Sequence, residues 1–189
     1  PRLRLPDPSL ERARGLLFPK IRANTLLGTG IKLPYFLPFG DHRDLTLTPY
    51  LSPRTRTLEY RYRQAFVRGD VEVDGAITRD AVRSQSIRRY LFVEGTFDVF
   101  RDYKLRFDVK LTSDNTYLRE YDFLNASRLS SGVALQRASK DRLTVAELVH
   151  FQTLRDDEDN ATQPGIVLDG VHLQRLYPRI GGEVRLAAQ

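Results

Sequence analysis

The chain has 189 residues, with 30 Lys and Arg against 24 Asp and Glu, and this net charge of +6 favours anionic partners only weakly. It has no Cys, which excludes disulfides and thiolate metal sites within it. No run of about 18 apolar residues occurs, which excludes a transmembrane helix but not a transmembrane β-barrel. The positive charges are scattered, so no nucleic-acid partner is predicted. Because the chain contains no Met and begins at Pro1, we expect an excerpt from a longer protein.

Apolar and polar residues alternate along most of the chain, a pattern typical of β-strands whose two faces differ. In "YKLRFDVKLT" (103–112) every second residue is apolar and the others are charged, or Thr. The first 40 residues predict two strands, around Leu16–Arg22 and Leu26–Leu37, both interrupted by prolines. Further strands are predicted at 44–52, 58–66, 70–78, 89–100, 103–112, 132–138, 142–154, 165–176 and 182–188. The sequence therefore predicts an all-β, antiparallel up-and-down meander of about 10–11 strands.

The predicted connections alternate between short and long. Turns at 67–70, 100–102 and 139–141 are of hairpin size, and longer links lie at 79–89, 112–131 and 155–163. Short turns at one end and long loops at the other are typical of outer-membrane barrels, in which an apolar face meets lipid and a polar face lines a wet lumen. Soluble lipocalin-like barrels have only about eight strands.

Aromatic residues near strand ends fit the interfacial girdles of such a barrel; they are Phe66, Phe100, Tyr103 and Tyr117. A half-buried sheet in a soluble binding module also alternates, however. The residue pattern alone leaves both architectures open.

Four segments occur in the order and spacing of a known family. They are "GLLFPKI" (15–21), "KLPYF" (32–36), "DLTLTPYLS" (44–52) and "LEYRYRQAF" (58–66). This series resembles the start of the barrel in the LptD family of outer-membrane lipopolysaccharide-assembly proteins, also called organic solvent tolerance proteins. The stretch up to "SDNTYLREYDF" (113–123) is similar to a later part of the same barrel, so the resemblance covers roughly 12–124. One departure is the family's Tyr-Tyr-Trp, which is Tyr35–Phe36–Leu37 here.

The resemblance implies a fragment of a large transmembrane β-barrel of about 26 strands. Residues 1–11 would be a linker from a preceding periplasmic jellyroll, and 12–189 the first strands of the barrel. It also implies a location in the cell outer membrane. The implied partners are lipopolysaccharide, the LptE lipoprotein plug, periplasmic lipopolysaccharide bridge proteins and outer-membrane lipids. The implied function is insertion of lipopolysaccharide into the outer leaflet through a lateral gate, with no covalent chemistry and no cofactor. A general or substrate-specific porin is the alternative.

Prolines are concentrated in the first three predicted strands, although proline cannot donate to a β-ladder. By the family motif, Pro19 and Pro34 match the prolines of the lateral gate, whereas Pro38 and Pro49 have less claim to gating. A seam that lacks amide hydrogen bonds opens more easily, by roughly 0.5–1.5 kcal/mol for each missing bond. We therefore expect Pro19 and Pro34 to keep the gate openable.

Cations on the polar face are a second candidate set, which consists of Arg61, Arg63, Lys104, Arg106 and Lys110. Lipopolysaccharide carries phosphates, which Arg recognises through bidentate hydrogen bonds. Acids on neighbouring strands provide a simpler explanation, because Glu72, Asp74, Asp98 and Asp108 can pair with these cations. The acidic segment 155–160 is a weaker candidate, for a divalent-ion patch.

Catalytic motifs are not found. His42 lies in a predicted turn, and His150 and His172 lie in predicted strands without Cys or acidic partners at metal-ligand spacing. Neither a Gly-x-Ser-x-Gly elbow nor a phosphate-binding loop occurs. The sequence therefore predicts a protein that is not an enzyme and has no metal site.

Overall fold

The computed structural model describes residues 13–80, 87–155, 165–175 and 181–188. The predicted linker at 1–11 and most of the acidic segment 155–160 lie outside the described residues.

The described residues form one antiparallel sheet of thirteen strands and one short helix. In chain order these are β1 (Gly15–Leu16), β2 (Lys20–Asn24), β3 (Gly28–Lys32), β4 (Tyr35–Pro38), β5 (Arg43–Leu51), β6 (Thr55–Phe66), β7 (Gly69–Asp80), β8 (Ile87–Asp98), β9 (Lys104–Thr112), α1 (Tyr117–Glu120), β10 (Arg128–Ser139), β11 (Arg142–Thr153), β12 (Ile166–Arg175) and β13 (Glu183–Ala188). From β5 to β13 each strand pairs with the next strand in the chain, so the predicted up-and-down meander is confirmed.

The thirteen strands form eleven lines, because each of the first two predicted strands is split into two short ones. β1 and β2 together form the first line, and β3 and β4 together form the second. The later strands match their predicted ranges to within a few residues at most ends.

The two faces of the sheet differ as the alternation predicts. One face presents rows of apolar side chains to the surroundings; one such row of cross-strand neighbours consists of Val133, Leu148 and Leu168. We call this the outer face. The opposite face, called the inner face, contains the charged residues and one compact region of buried side chains.

The buried region is on the inner face, because the connection between β9 and β10 folds back over the sheet. This stretch, residues 113–127, includes α1 and is called the inner connection. Its Tyr117, Leu118 and Tyr121 are almost completely buried, together with Leu27 from the turn between β2 and β3 and Tyr50 from β5. The main core of the described chain is thus built on the polar face, over only part of the sheet.

Within the described ranges, no helix is both long enough and apolar enough to cross a membrane.

Candidate functional site

The first two strand lines are interrupted opposite each other at two prolines. Pro19 lies in the gap between β1 and β2, and Pro34 lies in the gap between β3 and β4. Leu16 pairs with Tyr35 before the gap, and Lys20 pairs with Lys32 after it. Three residues of the first line therefore face two residues of the second, which is a β-bulge.

The interruption removes hydrogen bonds from the ladder. The amide of Leu17 donates to the carbonyl of Pro34 at 2.8 Å, but Pro34 has no N–H with which to return the bond. The same happens one strand further, where Leu33 donates to the carbonyl of Pro49 at 3.1 Å. The first three strand lines are consequently held by fewer bonds around the gap than a regular ladder provides.

The first strand line is also an edge. β1 and β2 pair with β4 and β3 on one side, and no described strand pairs with the other side. This edge also carries exposed apolar side chains, since Phe18 is 92% exposed and Ile21 is 79% exposed. A broken, exposed and apolar edge strand is unusual in a monomeric sheet, because such edges invite pairing with another strand.

Arg88 in β8 anchors the inner connection to the inner face. All five of its N–H groups have partners: two bind Asp114, at 2.7 and 2.9 Å, and the others bind Glu120, Thr116 and Asp80 at 2.5, 3.1 and 3.4 Å. The side chain is only 2% exposed. Its guanidinium carbon also lies 4.9 Å from the ring centre of Tyr117.

Hydroxyl groups extend this network across three strands. Thr55 and Thr57 of β6 are linked at 3.2 Å, and Thr57 is linked to Thr78 of β7 at 2.8 Å. The hydroxyl of Tyr117 lies 2.5 Å from Thr78, and that of Tyr121 lies 2.7 Å from both Thr55 and Asp80. These hydroxyl groups are therefore paired with each other and with Asp80, as their burial requires.

The electrostatics of the inner connection follow from burial and from Arg88. Burial raises the pKa of Tyr117 and of Tyr121 above the ordinary tyrosine value, so both hydroxyls stay neutral and can donate. Burial also acts to raise the pKa of Asp114, but the hydrogen bonds and charge of Arg88 outweigh it and lower that pKa to about 2. Asp114 further accepts hydrogen bonds from the amides of Thr116 and Tyr117, at 3.2 and 2.9 Å, which orients the start of α1.

The inner connection also holds the first two strand lines from inside. Arg22 in β2 forms an ion pair with Asp122 at 2.7 Å, and Asn24 donates to the carbonyl of Glu120 at 3.2 Å. Lys32 in β3 lies 5.7 Å from the ring centre of Phe123. These three contacts reach β2 and β3, on one side of the proline gaps. None of them reaches β1 or β4, on the other side of the gaps.

The five predicted cations lie on the inner face, and the structure pairs four of them with acids. Arg61 lies 2.8 Å from Asp74 and 3.1 Å from Glu72, and Lys104 lies 2.9 Å from Asp98. The pairing interpretation is thus confirmed for these residues.

The remaining cations differ in their partners. Lys110 pairs at 2.5 Å with Asp108 of its own strand. Arg63 pairs at 3.0 Å with Asp44, an acid that the sequence did not single out. Arg106 is exposed and makes no ion pair with any residue that the structure describes.

One predicted aromatic position is wrong. Tyr117 was expected in an interfacial girdle, but it is fully buried between the inner connection and the sheet, because α1 turns it toward Thr78 and Arg88. Phe66 and Phe100 remain exposed near strand ends, as expected.

Arg88 and the inner connection were missed by sequence reasoning. The available signal was "SDNTYLREY", in which the side chain of Asp114 can accept hydrogen bonds from the amides two and three residues further on, at the start of a helix. Of the histidines, His172 is bound by Thr144 at 2.8 Å. No group of three or more His, Asp and Glu within the described ranges could hold a metal ion.

Two comparisons with known proteins agree with each other. The family model described as "LptD: LPS transport system D" matches residues 86–179, which include β8 to β12. The LPS-assembly protein LptD of Alkalilimnicola ehrlichii is 29% identical over 157 residues, which covers 79% of this chain and 20% of the relative. The chain thus spans about a fifth of the length of that curated relative. The family model matches mainly residues that follow the four motif segments at 15–66. It overlaps the stretch of resemblance, roughly 12–124, at β8, β9 and α1. The chain belongs to the LptD family.

Proposed function

We propose that this chain is part of an outer-membrane translocon that inserts lipopolysaccharide into the outer leaflet, and that its first strand line is one side of a lateral gate. The observation that supports this most directly is the edge formed by β1 and β2. This edge is interrupted at Pro19, and it lacks the ladder bond that Pro34 in the neighbouring line cannot donate. No described strand pairs with its other side. A seam of this kind separates at a lower free energy than a regular antiparallel ladder.

The inner face provides a polar route to such a gate. Its charged rows suit a hydrated lumen, and lipopolysaccharide phosphates can exchange with the carboxylates that now pair with the cations. Arg106 is the cation best placed for a first contact, since it has no described acidic partner. We therefore keep Arg61, Arg63, Lys104, Arg106 and Lys110 as the proposed lumen contacts, with Arg106 first.

The relative's name, LPS-assembly protein, supports the substrate class. The proposed location is the cell outer membrane, where the outer face of the sheet meets lipid. The proposed partners are an LptE-type lipoprotein plug inside the barrel and the periplasmic proteins that deliver lipopolysaccharide. Transport of this kind needs no catalytic residue and no cofactor in this chain.

Site-specific photocrosslinking in cells, with the full-length parent protein, tests the transport route. A crosslinker at Ile21 reports on the gate edge and one at Arg106 reports on the inner face. Leu168 is the matched control, because it is an apolar residue on the outer face that is 63% exposed and lies in β12, far from the first strand in the sheet order. Adducts with lipopolysaccharide at Ile21 and Arg106, well above those at Leu168, are the expected result. If the inserted protein forms no adduct at Ile21 or Arg106, the porin becomes the better proposal.

The gate itself is tested by restoring the missing donors. In the double variant Pro19→Ala and Pro34→Ala, residue 34 regains an N–H that can return the bond to Leu17, so the seam should tighten by roughly 0.5–1.5 kcal/mol per bond gained. Export of new lipopolysaccharide to the cell surface should slow. Pro49→Ala is the control, since it makes the same change in the third strand line, where Pro49 accepts a bond from Leu33. Unchanged export in the double variant, at normal protein levels, would show that these prolines do not set the opening of the gate.

A further inference from the structure

Three arginines form a cluster on the outer face, at the end of the strands where the long connections lie. Arg56 in β6 is directly opposite Arg79 in β7. Arg89 in β8 is opposite Ile77, two residues before Arg79, and is therefore the diagonal neighbour of Arg79. Direct cross-strand neighbours have Cβ atoms about 4.5–5.5 Å apart and diagonal ones about 7–8 Å, so the three guanidinium groups can reach one ligand.

These arginines have no counter-charge among the residues that the structure describes. All three side chains are exposed, and none makes a side-chain hydrogen bond or ion pair with a described residue. Arg88, next to Arg89 but on the inner face, has three carboxylates around it. Like charges directly opposite each other destabilise a sheet. The pair of Arg56 and Arg79 is thus an arrangement that an external anion would stabilise.

An apolar groove adjoins the cluster on the same face. Its volume is about 400 Å³, and Arg56 and Arg79 form part of its wall. The rest of the wall is mainly apolar and includes Pro49, Leu51, Leu58, Ile77 and Ile87. Four of these side chains are between 43% and 67% exposed, so the groove is open to the surroundings. Cationic heads beside an open apolar groove match a ligand with an anionic head and a hydrocarbon tail.

We propose that this outer-face arginine cluster, Arg56, Arg79 and Arg89, binds the phosphates of a membrane lipid, and that an acyl chain of the same lipid lies along the groove. Guanidinium groups bind phosphate oxygens through paired hydrogen bonds, which favours Arg over Lys at such a site. Three cations suit a head with more than one negative charge, such as a phosphorylated glycolipid. The long connections of an outer-membrane barrel face outward, so the cluster would lie at the headgroup level of the outer leaflet.

The inference depends on one part of the proposed function, namely that the outer face meets a membrane. It does not depend on the lateral gate. The site differs from the transport route, because it lies on the face opposite Arg106 and because β3 and β4 separate its nearest strand, β5, from β1 and β2. Its role would be to hold a bound lipid at the barrel wall.

Native mass spectrometry of the full-length protein in detergent tests the proposal, with bisphosphorylated lipid A as the probe. Parallel samples receive lipid A without phosphates, or inorganic phosphate alone. The wild type should retain the bisphosphorylated lipid, and the variant Arg56→Gln/Arg79→Gln/Arg89→Gln should retain it at least about tenfold less tightly, a change of about 1.4 kcal/mol. Binding of inorganic phosphate alone should be too weak to detect, because the groove contributes nothing to it.

A matched control separates this site from general charge effects. Arg142→Gln removes an exposed arginine at the opposite, short-turn end of β11 and should leave lipid retention unchanged. A triple-Lys variant keeps the charge but loses the paired hydrogen bonds, so it should be intermediate. Folding of every variant is checked by circular dichroism. The proposal is overturned if the folded triple-Gln variant retains the lipid as the wild type does, if the phosphate-free lipid is retained equally well, or if Arg142→Gln loses as much.

Failure of this site and failure of the proposed function are distinguishable. Crosslinking at Ile21 reports on transport, whereas lipid retention is measured on purified protein. Loss of lipid retention with normal crosslinking supports a separate wall site.

Discussion

The guanidinium of Arg22 in β2 lies 2.7 Å from the carboxylate of Asp122, so the free edge strand is tied to the inner connection by two residues 100 positions apart in the chain. Asp122 adopts a positive φ of 50°, which Asp and Asn tolerate better than other residues with a side chain. Asn24 adds two further polar links between β2 and the inner connection, because its side-chain amide donates to the carbonyl of Glu120 at 3.2 Å and lies 3.5 Å from the carboxylate of Asp122.

Removing the charge of Asp122 should loosen the first strands without unfolding the protein. Asp122→Asn keeps the backbone conformation and weakens the bond to Arg22. Because both side chains are partly exposed, we expect a global change below about 1 kcal/mol. Amide hydrogen exchange should nevertheless become faster in β2 and β3, since local opening depends on local contacts.

Asp98→Asn is the control for this experiment, because Asp98 is about as exposed as Asp122 and its ion pair with Lys104 lies at a distance from β2. Equal exchange rates in β2 for the two variants would mean that Arg22 and Asp122 do not restrain the edge.

Arg88 should be the most sensitive position of the inner connection. Arg88→Ala leaves Asp80, Asp114 and Glu120 without their shared cation, and removing one partner of a buried ion pair destabilises by about 3–5 kcal/mol. The inner connection should then be cut readily by trypsin after Arg119, which is exposed in α1. Limited proteolysis and denaturant titration of the full-length protein measure both effects.

Arg89→Ala is the stability control for Arg88, because it removes an exposed arginine one residue away and should change stability by less than about 0.5 kcal/mol. Similar protease sensitivity of the two variants would refute the anchoring role of Arg88.

The inner connection should open in acid over a defined range. The pKa of Asp114 is lowered from 3.8 to about 2 in the folded chain, so the folded state binds its proton less readily than the unfolded state. The stabilisation is therefore complete above pH 3.8 and is lost as the pH falls toward 2. Trypsin cannot be used at low pH, but pepsin cleavage of 113–127 between pH 5 and pH 2 can follow the opening.

Asp114→Asn should be cut more readily throughout this range and should show a shallower pH dependence, because the variant lacks the carboxylate whose pKa is lowered. A wild-type cleavage rate that is flat from pH 4 to pH 2, after correction for pepsin's own pH profile, would contradict the assignment.

Two buried tyrosines should respond oppositely to loss of their hydroxyls. The hydroxyl of Tyr50 is buried and has no hydrogen-bond partner among the described residues, so Tyr50→Phe should be neutral or slightly stabilising. Tyr117→Phe removes the bond to Thr78 and should cost about 1 kcal/mol. Denaturant titration of the two variants side by side provides the comparison. Equal losses would show that Tyr50 has a polar partner after all.

Much of the fold could be predicted from the sequence because β-strands have a side-chain period of two. Wherever residues alternate between two environments, as from Lys104 to Thr112, the strand and its faces follow. Short turns then force consecutive strands to pair. The breaks at Pro19 and Pro34 were also predictable, since proline lacks the donor that the ladder needs.

The inner connection could not be predicted in the same way. It has one turn of helix, which carries too little periodicity to recognise. Its partners, Thr57, Thr78 and Arg88, looked like ordinary solvated residues of a polar face. Only the register, which aligns these three residues across β6, β7 and β8, brings them under Tyr117.

The positions of the strands, the apolar face of each strand and the breaks in the first strands thus follow from the amino-acid sequence alone, because they depend on neighbours along the chain. Which charges are paired, buried or exposed depends instead on how the strands and the inner connection come together. Arg88 and Arg89 are adjacent in sequence, yet one is enclosed by three carboxylates and the other is exposed beside an apolar groove. The physical reason is that the surroundings of a side chain are set by strand register and by the path of a distant connection, neither of which is a local property of the chain.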